Sequence, residues 1–171
     1  MKHPSKKLRD SILAVTILLI GTFYLNQPTW ANGIIGIPNI QYTPGMANSK
    51  VTEGNIDTTI CRPGYSKSIR PEVSYTEKLK IAQLNTIYNI YGSNKLSLFE
   101  EDHLIPLEVG GDPISPKNLW PEPRYGVASA SKKDQLENLM HQMVCSHKLS
   151  LKAAQANFTQ NWYQNYLKYF G

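Results

Sequence analysis

The sequence predicts an α+β fold: one short β-hairpin set among helices. Two observations carry this reading. Apolar residues recur at helical spacing in three segments, near residues 74–92, 131–146 and 150–169. Between the first two lies Phe99–Pro123, FEEDHLIPLEVGGDPISPKNLWPEP, where short apolar stretches flank a Gly110-Gly111-Asp112-Pro113 turn. That is the pattern of two strands joined by a long turn.

A chain of 171 residues fits one domain with a leader. Its 41% hydrophobic and 18% charged content allows a folded core and argues against a disordered chain. The formal charge is +5, but Lys2, Lys6, Lys7 and Arg9 against Asp10 place +3 of it within residues 1–31. The remainder is close to balanced, so overall basicity is weak support for a nucleic-acid partner.

The elements follow in order. Residues 11–25, SILAVTILLIGTFYL, form an apolar run behind a basic start. At about fifteen residues it is short for a spanning helix and suits a secretory signal. Cleavage after Ala31 is expected, with an N-terminal membrane anchor as the alternative; either exports the rest, to the periplasm or the medium. An oxidising compartment would then pair the only two cysteines, Cys61 and Cys145. Residues 32–57, rich in Gly, Pro, Asn and Thr, read as an extended arm or linker, and 58–171 as the folded domain. Thr58–Pro71 gathers Arg62, Lys67 and Arg70 without an acid, either a phosphate-facing loop or a solvated surface.

Ser74 and Glu77 have the spacing of a capping box for a helix ended by Gly92. Phe99, Leu104, Ile105 and Leu107 suggest a buried strand, and Asn118-Leu119-Trp120 a second one closed by Pro121 and Pro123. A helix over 131–146 buries Leu136, Leu139, Met140, Met143 and Val144, and a last one is expected over 150–169.

Asp102-His103 is the candidate chemistry. A carboxylate is a hard ligand for Mg²⁺, and a neutral imidazole can take a proton from water. Adjacent strand residues point to opposite faces, so both serve one site only at a strand end or bend. The bland alternative is an Asp and a His that merely pair at a polar rim.

The order Asp102-His103, glycine turn, Asn118-Leu119, helix resembles the HNH, or His-Me finger, endonuclease motif. In its specific form, DHLIPLEVGGDP followed by NLWPEP is similar to a group of exported HNH-like bacterial proteins. TICRPGYSKSIRP and SYTEKLK before it and KKDQLENLMHQMVC after it belong to the same likeness, over about residues 57–165. The resemblance implies a ββα-metal finger with additional packing helices, hydrolysing phosphodiester bonds of nucleic acid, DNA rather than RNA. His103 would be the general base, Asn118 would hold the loop and orient His103, and Asp102 would bind the ion. Mg²⁺ is the expected ion, with Mn²⁺ or Zn²⁺ as alternatives. The motif expects a His or Asn early in its helix as second ligand; this chain has neither there, and Asp134 is the available substitute. Arg70, Arg124, Lys132 and Lys133 are the candidate phosphate contacts. A non-catalytic scaffold that binds nucleic acid or protein is the alternative.

Overall fold

The computed structural model describes residues 36–88 and 96–171. The leader expected over 1–31 and the helix end expected at Gly92 lie outside these residues. No helix among the described residues is long and apolar enough to cross a membrane. The fold is α+β: a two-stranded antiparallel sheet with helices before and after it.

Among the described residues two α-helices precede the sheet, α1 (Tyr65–Ile69) and α2 (Val73–Asn85). α2 begins one residue before the expected Ser74 cap: Glu72, in extended backbone, is the N-cap. Strand β1 is Phe99–His103, so the acidic run itself is the strand. Leu104 to Pro106 leave it, and Leu107–Val109 form a single 3₁₀ turn, contrary to the expected strand through Leu107. Pro106, with no N–H to give a ladder, marks the exit.

Strand β2 is Leu119–Pro123, with Phe99 opposite Pro123, Asp102 opposite Trp120 and His103 opposite Leu119. Pro121 and Pro123 lie inside β2 rather than ending it. In a two-stranded sheet each strand has one free edge, and a proline there forfeits no ladder bond.

Helix α3, Ala130–Cys145, packs beneath the hairpin; Leu136, Met140 and Val144, spaced four apart, are all fully buried. The expected last helix is two: α4 (Leu151–Thr159) and α5 (Trp162–Phe170). Asn161 breaks the run by adopting extended backbone, and its side chain accepts a hydrogen bond from the Gln164 N–H as the cap of α5. Buried Phe158 and Trp162 join these helices to the core, and the Trp162 indole N–H donates to the Gly36 carbonyl.

The arm also takes part. Met46 and Asn48 bond backbone to backbone with the turn at Asp112 and Gly110, and Ala47 bridges Gly111. The segment read as a linker thus supports the hairpin loop. At the other side, Cys61 and Cys145 form a disulfide tying the loop before α1 to the end of α3.

Candidate functional site

The long turn between β1 and β2 is held by one side chain. Asn118 is fully buried, and its amide oxygen accepts from the N–H of Ile105 (2.9 Å) and of Met46 (3.2 Å). Its amide nitrogen donates to the carbonyls of Ile105 and Asp112, both at 3.0 Å. One side chain therefore ties both ends of the turn to the arm and uses its whole hydrogen-bonding capacity. Gly111 allows this closure, because a Cβ there would sit 1.8 Å from the Ile105 oxygen.

This loop presents the Pro113 carbonyl to His103, whose Nε2 lies 3.0 Å away. A carbonyl only accepts, so Nε2 carries the hydrogen and Nδ1 keeps its lone pair. Burial pushes the imidazole pKa below its usual value, aided by the nearby cations Arg70 and Lys133 and opposed by Asp102 and the Pro113 carbonyl. Burial thus favours the neutral imidazole, and in that form the loop sets its tautomer.

Asp102, at the adjacent strand position, turns to α3. Its Oδ2 accepts from the Lys133 ammonium at 2.6 Å. The same ammonium donates to the His103 carbonyl at 2.8 Å and to Glu137, one helical turn on, and lies 3.9 Å from Glu122. Lys133 is completely buried, so the residue expected to meet phosphate is instead the centre of an acidic pocket. Burial disfavours its charge, but Asp102, Glu137 and Glu122 outweigh that and hold its pKa well above the usual value. Burial likewise pushes Asp102 up, yet Lys133 and His103 bring it below the usual carboxylate range. For Glu122 burial wins and its pKa lies well above normal; Glu137 is pushed up to about 7. The Glu122 carboxyl also hydrogen-bonds Asp102, which favours a protonated Glu122 and an ionised Asp102.

The other expected residues are distributed around this centre. Asp134 is exposed on α3, and burial and Asp102 raise its pKa. Arg124 pairs with Glu100 at 2.7 Å, and Lys132 donates to the Val127 carbonyl and lies over the Tyr163 and Tyr166 rings. Arg70 is exposed and close enough to His103 to affect its charge. Arg62 and Lys67 line a separate cavity of about 320 Å³ with Glu108 and His141.

The chemistry of the donor set decides whether a divalent ion fits beside Asp102. Its oxygen is already on Lys133, and an ion on the same carboxylate would lie within a few ångströms of that ammonium. Among the described residues, three metal-ligating side chains come within 4.8 Å of one another only at Cys61, His141 and Cys145. That group has the spacing to hold a metal ion, but its sulfurs are joined in the disulfide, and a thiolate is needed to ligate. As packed, the residues around Asp102 do not fit an ion.

Glu101 stood out in the sequence only as one of three consecutive acids that a bound metal would offset. Both its carboxyl oxygens are buried without a hydrogen-bond partner, and burial, then Asp102, raises its pKa to about 9. In the folded chain it holds its proton through neutral pH, whereas the unfolded chain loses it near the ordinary value. Glu101 therefore removes stability as pH rises from about 4.3, and the loss stops growing above the folded pKa. Glu101→Gln, which mimics the protonated acid, should raise the melting temperature over wild type near pH 8. The gain should vanish near pH 4. Equal gains at both pH values would contradict this.

No protein-family profile, curated protein or solved structure matches the chain.

Proposed function

We propose that the chain is an exported endonuclease of the HNH type that hydrolyses phosphodiester bonds of nucleic acid, with the hairpin and α3 as its ββα finger. The observation that carries this reading is the His103 Nε2 to Pro113 carbonyl bond at 3.0 Å, which leaves Nδ1 as a base on a loop pinned by Asn118. Nδ1 would take a proton from a water as its oxygen attacks phosphorus; the bond from phosphorus to the 3′ oxygen breaks, and that oxygen takes a proton from solvent. Arg70 is the cation best placed to meet phosphate near His103, since Lys133 is buried and Arg124 is paired. The disulfide is consistent with an oxidising compartment and supports export.

A specific observation favours the scaffold reading as the second choice. His103 is 2% exposed, and the carboxylate beside it is already paired with a lysine. The test is to incubate the disulfide-closed chain with plasmid DNA and with RNA, in Mg²⁺, in Mn²⁺ and in chelator. Nicked or shortened products are expected in at least one condition. Binding without cutting in all of them would establish the scaffold and end the nuclease reading.

A further inference from the structure

Lys133 sits at an unusual place for a lysine. It is in the first turns of α3, where the helix dipole disfavours a cation, and it is completely buried. A cation kept there must be held by specific partners, and it is. Its three N–H bonds are all used, on Asp102, the His103 carbonyl and Glu137. These are hard oxygen donors, two carboxylates and a backbone carbonyl, which are the groups a divalent cation such as Mg²⁺ or Mn²⁺ takes. The pocket reaches solvent through Asp102 and Glu137, whose side chains are 22% and 16% exposed.

A second observation is independent of the lysine's own bonds. Glu122 is 1% exposed and faces the same ammonium, yet its Oε1 has no hydrogen-bond partner. An ammonium has only three protons to give, and none is left for Glu122, whose nearer oxygen stays 3.9 Å away. The pocket thus contains one more buried carboxyl group than Lys133 can serve.

We propose that Lys133 is the resident cation of this pocket, holding the place of a divalent ion and excluding one for as long as it is seated. The inference concerns the same site as the nuclease reading but rests on packing alone. In this arrangement the lysine does for Asp102 what an ion would do: it neutralises the carboxylate and fixes it beside His103. It also ties the His103 backbone to α3, so the base and the helix are positioned by one side chain.

Loss of the free Mn²⁺ electron paramagnetic resonance signal on titration into the full chain near neutral pH reads ion binding directly. Wild type should leave the signal unchanged up to millimolar Mn²⁺. Lys133→Met should bind one equivalent, at least an order of magnitude more tightly than any wild-type uptake, and adding Asp102→Asn should abolish that binding. One equivalent bound by wild type and lost in Asp102→Asn alone would overturn the proposal. So would a folded Lys133→Met chain that binds no better than wild type. Should Lys133→Met not fold, the comparison of wild type with Asp102→Asn still decides: no uptake by either supports the lysine, and uptake by wild type alone rejects it. Cleavage is a separate readout. A chain that binds Mn²⁺ through Asp102 and cuts DNA refutes only this inference; one that neither binds nor cuts refutes only the nuclease reading.

Discussion

Opening the Cys61–Cys145 bond is expected to cost about 4.5 kcal/mol of stability, from the entropy of a loop with sequence separation 84 released into the unfolded chain. The bond joins the loop before α1 to the last residue of α3, so it braces the helix that carries Lys133 and Glu137 from its far end. Urea unfolding of wild type and of Cys61→Ser/Cys145→Ser measures the difference. The double variant should unfold at much lower denaturant, with its pocket residues no longer held. A loss below about 1 kcal/mol would mean that the unfolded chain is not constrained by the bond.

Asn118→Ala should be nearly as costly, about 4 kcal/mol. The substitution leaves the N–H of Ile105 and Met46 and the carbonyls of Ile105 and Asp112 without their partner. Each buried group left unserved costs about 1–3 kcal/mol, and some will find water. The functional loss should exceed the stability loss. Without the amide the loop no longer presents Pro113 to His103, and the tautomer is no longer set. Asn118→Asp discriminates further: a carboxylate can accept the two N–H groups but cannot donate to the two carbonyls. It should therefore rescue little. Thermal unfolding and cleavage by folded protein, measured below the lowered melting temperature, separate the two effects. Full cleavage by a folded Asn118→Ala chain would show that the loop does not set the base.

Much of this was legible in the sequence because it depends on local pattern. The helix of Leu136, Met140 and Val144 announces itself by spacing, and the cysteines by their number. The hairpin was visible from its turn, whereas the role of Asn118 in holding it came from the likeness to the HNH motif and not from local pattern. Strand limits were not visible, because Phe99–His103 is acidic and β2 contains two prolines; both suit a sheet of two edge strands, which pattern alone does not reveal. The single helix expected at the end was broken by the capping choice of Asn161, which depends on backbone geometry.

The acidic pocket shows the main limit. Lys133 and Glu137 have the i,i+4 spacing of an ordinary exposed pair, and Lys133 stands next to Lys132 in a run that looks solvated. Its burial comes from contacts with Asp102, the His103 carbonyl and Glu122, all distant in sequence. The hint was the position itself: a lysine early in a helix is unfavourable there and invites a search for buried acids. Glu122, between two prolines, gave no such sign.

The most direct measurement for the central claim is the rate at which folded wild type and His103→Ala cut the same plasmid in parallel. If Nδ1 of His103 is the base, the substitution should slow cleavage by about 10²–10⁴-fold while leaving nucleic-acid binding intact. Equal rates for the two proteins would contradict the account, because the loop, Asn118 and the Pro113 carbonyl would then be orienting a residue that does no chemistry.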